Sequence, residues 1–123
     1  YKIIYEQSKF VAVGEFGLVI SSNDGFNWNE QLIGENSISH IVYGNDHFLL
    51  SNGMKIYRSS NTLIWEELVE SDLKLLAQIG SLLFAFKGQD IYRCTEGYFE
   101  DCTVIATIPT GLQIRSAIFE ERL

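Results

Sequence analysis

Short apolar runs separated by turn-forming residues extend along the whole chain. The clearest stretch carries four such runs, at 38–43, 48–51, 55–59 and 64–69. The segments between them are Gly44-Asn45-Asp46, Asn52-Gly53 and Asn61-Thr62. Runs of four to six residues broken in this way predict β-strands joined by tight turns, and Asn-Gly favours a type I′ hairpin because both of its central residues need positive φ. Only 73–79 is ambiguous with a helix, so the pattern predicts an all-β chain.

The strand pattern repeats about every 36 residues. The segment from Ser22 to Trp28 aligns with that from Ser59 to Trp65, 37 residues later, and a less similar third copy begins at Cys94. Upstream positions keep the same register: Val19, Ile56 and Ile91; Ile20, Tyr57 and Tyr92; Phe10, Phe48 and Leu83; Tyr5, Tyr43 and Ile79. A period of this size indicates a repeat architecture. The approximate repeats are 1–36, 37–72 and 73–111, followed by an incomplete copy at 112–123.

Each copy places large apolar side chains on both faces of its third strand, as at Ile56-Tyr57. A sheet exposed on one face would alternate apolar with polar residues, so this pattern indicates a sheet covered on both faces. Four-stranded antiparallel units of this kind are typical of the blades of a β-propeller. Propellers have about four to eight blades, and this chain supplies three and, at 114–119, the first strand of a fourth. We therefore expect a partial propeller that self-associates or belongs to a larger propeller.

The segment Ser22-Asn23-Asp24-Gly25-Phe26-Asn27-Trp28 resembles the Asp-box of BNR repeats in sialidase-type β-propellers. Across the copies, the residues that match or replace the motif are Ser22, Asp24, Gly25, Trp28, Ser59, Asn61, Trp65, Glu96 and Gly97. The later copies depart from the pattern, because Asn61 and Glu96 replace Asp, Thr62 replaces Gly, and the third copy has no Trp. The resemblance implies that the box stabilises the turn between the two outer strands, away from the ligand face.

The chemistry of the motif agrees with a structural role. Asp24 can accept backbone N–H groups of its own turn, and Gly25 can adopt a left-handed backbone at little steric cost. We expect Trp28 and Trp65 to fold back over their hairpins and to be buried there.

No catalytic, metal or cofactor site is expected in this chain. An active sialidase-type propeller would show several arginines that bind a carboxylate, a Tyr nucleophile with its Glu base, and an Arg-Ile-Pro segment. Here Arg115 stands alone, and Pro109 has no arginine beside it. His40 and His47 lack a metal-ligand spacing, and the acidic residues lack the regular spacing of a calcium loop.

Cys94 stands where the other copies have Ser22 and Ser59, and Cys102 lies 37 residues after Trp65. The third hairpin therefore favours a disulfide between two facing strands. The alternative is a pair of buried thiols in a reducing compartment. An extracytoplasmic location follows only if the disulfide forms, because disulfides persist in oxidising compartments, and the compartment is otherwise open.

The formal net charge of -7 disfavours nucleic acid as a partner, since no Lys/Arg cluster is visible along the chain. No apolar run approaches the 18 or so residues of a membrane span, so membrane insertion is not expected. We interpret the chain as a non-catalytic binding or scaffold surface for a protein or glycan partner. Its candidate ligand-face residues are Phe16, Asn36, Asn52 and Gln89. The alternative is part of a glycan-processing or lectin propeller whose active residues lie outside this segment.

Overall fold

The computed structural model describes residues 2–95 and 98–111, and in these ranges the chain is almost entirely β-structure. The strands are β1 (Lys2–Glu6), β2 (Lys9–Val13), β3 (Leu18–Ser22), β4 (Asn29–Leu32), β5 (His40–Gly44), β6 (His47–Ser51), β7 (Lys55–Ser59), β8 (Glu66–Glu70), β9 (Lys74–Ile79), β10 (Leu82–Lys87), β11 (Asp90–Thr95) and β12 (Tyr98–Thr107). A 3₁₀ turn lies at Glu15–Gly17. Within the described ranges, no helix is long and apolar enough to cross a membrane.

The strands form three four-stranded antiparallel sheets, β1-β2-β3-β4, β5-β6-β7-β8 and β9-β10-β11-β12, which we call the first, second and third blades. Strand β5 packs beside both β1 and β9, so the first strands of the three blades lie next to one another. The predicted fold class, antiparallel four-stranded blades of a β-propeller, is confirmed. The strand expected at 114–119 lies outside the described residues.

The turns follow from local sequence, with one difference from expectation. Asn45 and Asp46 both have positive φ, 49° and 63°, in the two-residue turn between β5 and β6. The predicted type I′ hairpin at Asn52-Gly53 is instead a three-residue connection, in which Gly53 has φ 85°. The side-chain Oδ1 of Asn52 accepts the backbone N–H groups of Met54 and Lys55 at 3.0 and 2.9 Å. This Asx-type bonding holds the chain in a wider turn.

Two apolar clusters hold the three blades together. The first lies between the first and second blades and contains Val11, Val13, Val19, Ile38, Ile41, Phe48, Leu50 and Tyr57. The second lies between the second and third blades and contains Val42, Leu49, Ile56, Leu73, Leu75, Leu83, Ala85 and Cys94. The neighbours Leu49 and Leu50 are both fully buried, but they belong to different clusters. The apolar residues on both faces of the second blade are therefore buried against a blade on each side.

One predicted repeat position in the third blade is wrong. Gln78, rather than the predicted Ile79, pairs with Leu83, as Tyr43 pairs with Phe48 in the second blade. Strand β9 also contains a β-bulge at Leu76, because Phe84 pairs with Ala77 and Ala85 pairs with Leu75. The Gln78 side chain is buried, and within the described part of the chain its amide has no hydrogen-bond partner. The backbone also approaches the second blade closely, because a Cβ on Gly44 would lie 2.4 Å from the Gln78 carbonyl oxygen.

Candidate functional site

The first box is a turn built around the Asp24 carboxylate. Its Oδ1 accepts the backbone N–H groups of Phe26 and Asn27, both at 2.8 Å, and its Oδ2 accepts the side-chain amide of Asn27 at 2.9 Å. Ser22 Oγ accepts the N–H of Gly25 at 2.8 Å. The hydrogen bonds from the Asn27 and Phe26 backbones hold the pKa of Asp24 well below its usual range. Both carboxylate oxygens therefore bond within their own turn.

The second box makes the same bonds to backbone N–H groups with a neutral side chain. Asn61 Oδ1 accepts the N–H groups of Leu63 and Ile64 at 2.9 and 3.0 Å, and Ser59 Oγ accepts the N–H of Thr62 at 2.8 Å. Thr62, where the first box has glycine, keeps the left-handed backbone at φ 66° and is buried. The hydrogen bonds, not the negative charge, are thus what the two turns share.

The two tryptophans share a hydrogen bond but differ in burial. Trp28 Nε1 donates to the Gly25 carbonyl at 3.2 Å, and Trp65 Nε1 donates to the Thr62 carbonyl at 3.1 Å. Trp65 packs against the first apolar cluster. Trp28 is 39% exposed, so the expectation that it is buried is wrong. The physical reason is the position of the ring. Trp65 lies on the side of the second blade that the first blade covers, whereas Trp28 lies on the side of the first blade that faces away from the second, where no described blade covers it.

The third hairpin differs from the two boxes. Only two residues separate β11 from β12, whereas six separate β7 from β8. Those two residues, Glu96 and Gly97, are predicted box positions and lie outside the described residues. Cys94 and Cys102 are joined by a disulfide with an S–S distance of 2.02 Å. Of the two alternatives that the sequence left open, a disulfide or a pair of thiols, the structure contains the disulfide. A covalent bond between β11 and β12 is present where the other copies have a box.

The candidate ligand-face residues all lie at the opposite end of the blades, where the first strands begin; we call it the entry end. Contacts between loops hold this end together. The Asn36 side-chain amide lies 2.9 Å from Met54 Sδ, the Gln89 side-chain amide donates to the Pro109 carbonyl at 3.1 Å, and the Ile38 N–H donates to the Gly14 carbonyl at 3.0 Å. Contacts within and between neighbouring blades therefore hold these connections in place.

Phe16 is the most exposed bulky side chain at the entry end. Its ring is 74% exposed, and its backbone has φ 57°, which is uncommon for a residue with a large side chain. Within the turn, Gly17 is fixed by packing, since a Cβ there would lie 2.5 Å from the Ile33 carbonyl oxygen. The turn thus holds an aromatic ring in solvent at one defined place.

Three basic residues at the entry end were missed by sequence reasoning. Lys2, His40 and Lys74 are the first residues of β1, β5 and β9, and because these strands lie side by side we call them the basic cluster. Burial, followed by the charges of Lys2 and Lys74, lowers the pKa of His40 to about 4. His40 is therefore neutral at pH 7, and burial also lowers the pKa of Lys2. Their shared position in the repeat was the signal that could have revealed them.

The ammonium groups of the basic cluster lack a carboxylate partner within the described ranges. By contrast, Lys55 pairs with Glu67 at 3.3 Å and Lys87 pairs with Asp72 at 2.8 Å. Lys74 Nζ instead lies 5.7 Å from the centre of the Phe86 ring, which the His40 ring also contacts edge-on at 5.6 Å. The cluster is a partly desolvated patch of positive charge. Among the described residues, no group of three or more His, Cys, Asp or Glu side chains could hold a metal ion.

Comparisons with known proteins show the fold. No family model matches the chain, and no curated protein matches it. The chain is similar to a solved β-propeller structure, YCF48 from Cyanidioschyzon merolae, with a TM-score of 0.68 and 19% sequence identity. The match covers 86% of this chain and 37% of that one. The chain thus spans little more than a third of the structure that it matches, and the likeness concerns the β-propeller fold alone.

Proposed function

We propose that this chain is a non-catalytic, Asp-box-type propeller segment that binds an acidic segment of a partner protein at its entry end. The observation that carries the proposal is the basic cluster of Lys2, His40 and Lys74. It is a local site of positive charge in a chain whose formal net charge is -7. The negative charge on most of this protein's surface would repel an acidic partner, whereas the basic cluster would attract it.

The surroundings of the cluster strengthen its attraction for a carboxylate. Charges act more strongly where burial lowers the local dielectric constant, and burial lowers the pKa of both Lys2 and His40. Neutral His40 can take part through its ring N–H, while Lys2 and Lys74 supply the charge. Phe16, exposed at the same end, offers an apolar contact of the aromatic type that is enriched in protein interfaces. Charge and an aromatic ring together favour an acidic peptide over a purely sugar-based ligand.

Two features support a non-catalytic role. The Asp24 oxygens already bond the N–H groups of their own turn, and the side chain of Arg58 is held by Glu66 at 3.2 Å. These contacts argue against Asp24 as a general acid or base and against Arg58 as a ligand of a substrate carboxylate. The Ser-x-Asp-Gly-x-x-Trp pattern and the matching hydrogen bonds of the two boxes support membership in the Asp-box repeats.

The proposal is tested by titrating a fluorescent peptide of alternating Glu and Leu residues against the protein and measuring anisotropy. We expect Lys2→Gln and Lys74→Gln each to weaken binding about fivefold to tenfold, the effect of one charge-assisted contact. Arg93→Gln is the matched control, because it removes the same charge from an exposed position away from the entry end. Equal weakening by all three variants would show only a net-charge effect and would reject the site.

A second arm addresses the glycan alternative. A sialylated oligosaccharide that binds at the entry end more tightly than the acidic peptide, or that the protein hydrolyses, would replace the proposal with the lectin or glycan-processing function. Loss of that activity in Lys74→Gln but not in Arg93→Gln would still place the ligand at the basic cluster.

A further inference from the structure

His40 occupies the middle of the basic cluster. Strand β5 packs beside both β1 and β9, so the His40 side chain at the start of β5 has Lys2 on one side and Lys74 on the other. The ring is half-buried, and it contacts the Phe86 ring edge-on at 5.6 Å. The two lysines carry positive charge at pH 7, whereas an imidazole can gain or lose a proton near that pH. His40 is therefore the member of the cluster whose charge a ligand can change.

The groups that face the His40 ring disfavour its protonation in the free protein. Lys2 faces it from β1 and Lys74 from β9, while the neighbours from β6 and β10 are the uncharged Ser51 and Phe86. Burial, followed by the charges of the two lysines, lowers the pKa of His40 to about 4. The ring is thus neutral because it is partly removed from water and because both charged neighbours repel a further positive charge.

The hydrogen-bonding groups around the ring can accommodate an added proton. His40 Nδ1 lies 2.7 Å from the Ser39 hydroxyl, which can donate to a neutral ring or accept from a protonated one. Ser51 pairs with His40 across β5 and β6, so the two side chains lie on the same face of the sheet. The Ser51 hydroxyl is buried and has no hydrogen-bond partner among the described residues. A protonated ring would therefore keep an acceptor at Ser39 and have a second oxygen on the same face.

A carboxylate bound at the basic cluster would reverse the balance of charge around the ring. An opposite charge within about 4–6 Å favours the protonated form of a histidine, and no described side chain supplies that charge in the free protein. Resting on the proposed function, we propose that an acidic segment bound at the basic cluster makes His40 take up a proton, so that binding strengthens as the pH falls from 7 to 5.

The sign and the size of this effect follow from the linkage between binding and protonation. A group whose pKa rises on binding takes up a proton, and the affinity then increases as the pH falls towards the pKa of the free protein. For His40 that pKa is about 4, so the free ring is mostly neutral at pH 5. An opposite charge shifts a titration midpoint by about one to three pH units. A rise of about two pH units would make the affinity at pH 5 about ninefold higher than at pH 7.

Titration calorimetry with the peptide of alternating Glu and Leu residues measures the proton uptake. The binding enthalpy is compared at pH 5.5 in MES and in piperazine, two buffers that differ in their enthalpy of ionisation. We expect an uptake of about 0.7 proton per bound peptide. His40→Asn keeps a polar side chain that does not titrate, and it should abolish the uptake and the rise in affinity at low pH. His47→Asn is the matched control, because it removes the other of the two histidines, at the far end of the β5–β6 hairpin, and should change neither.

Nuclear magnetic resonance of the His40 ring provides a readout without a substitution at the site. In the free protein its titration midpoint should lie near pH 4, and saturating peptide should raise the midpoint by at least about one pH unit. The His47→Asn variant distinguishes the signals of the two histidines.

The outcomes separate this inference from the proposed function. Peptide binding at pH 7 without proton uptake at pH 5.5, or with an unmoved His40 midpoint, would overturn the proton coupling and leave the acidic-peptide site intact. Equal loss of uptake in both histidine variants would place the proton elsewhere and would also overturn the coupling. Absence of peptide binding at every pH would reject the proposed function itself, and this inference with it.

Discussion

Replacing the two box tryptophans distinguishes the stability that comes from packing between blades from the stability that comes from the box itself. Trp28 and Trp65 occupy the same motif position and donate the same kind of hydrogen bond to their turns. They differ in their neighbours, because Trp65 packs on the first apolar cluster and Trp28 is 39% exposed. Removing a buried aromatic costs about 3–5 kcal/mol. We expect about 3.5 kcal/mol for Trp65→Ala and, scaled by its exposure, about 2 kcal/mol for Trp28→Ala.

The measurement is equilibrium urea denaturation, followed by far-ultraviolet circular dichroism, at a protein concentration low enough to keep the chain monomeric. Trp28→Phe and Trp65→Phe keep an aromatic ring but remove the N–H donor and part of the ring system; each should cost less than the alanine change at the same position. Equal losses of stability for the two alanine variants would refute the packing argument.

Three further predictions concern single groups. Because the pKa of Asp24 is depressed in the folded protein, its ionised form stabilises the fold above the unfolded pKa of about 4, and this stability is lost as the pH falls below that value. Asp24→Asn reproduces the side chain of Asn61 and does not titrate. Its melting temperature should therefore fall less between pH 5 and pH 2 than that of the unmodified protein. Peptide mapping without reductant should find Cys94 linked to Cys102, and the double serine variant should lose about 2.5 kcal/mol in the loop-entropy model; two freely alkylated thiols would contradict this. Gln78→Met should raise the free energy of unfolding by about 1 kcal/mol, because it removes a buried amide without a described partner; a loss of stability would mean that the amide is hydrogen-bonded.

The strands and their order were predictable because they depend on local sequence. The predicted run at 55–59 is strand β7, and the run at 48–51 falls within β6. Alternation of apolar residues and turn chemistry both act over a few residues, so one sequence is enough to detect them. The covering of both faces of the second blade was also predictable, since Tyr57 packs in the cluster with the first blade and Ile56 packs in the cluster with the third.

The features that were missed depend on contacts between distant segments. The bulge in β9 is visible only in the pairing of this strand with β10. Trp28 and Trp65 have the same local motif, so their different burial comes from the neighbouring blade and not from the motif. Lys2 and Lys74 are 72 residues apart in the sequence, and they form a cluster only because the first strands lie side by side.

A methyl-labelled nuclear Overhauser experiment on the chain tests the stacked-blade architecture most directly. Leu49 and Leu50 are adjacent in the sequence and point to opposite faces of the second blade. Leu50 methyls should show cross-peaks to Val11 or Val13, and Leu49 methyls should show them to Leu75 or Leu83. Cross-peaks from both leucines to the same set of residues would mean that the second blade is covered on one face only, and would contradict the propeller arrangement.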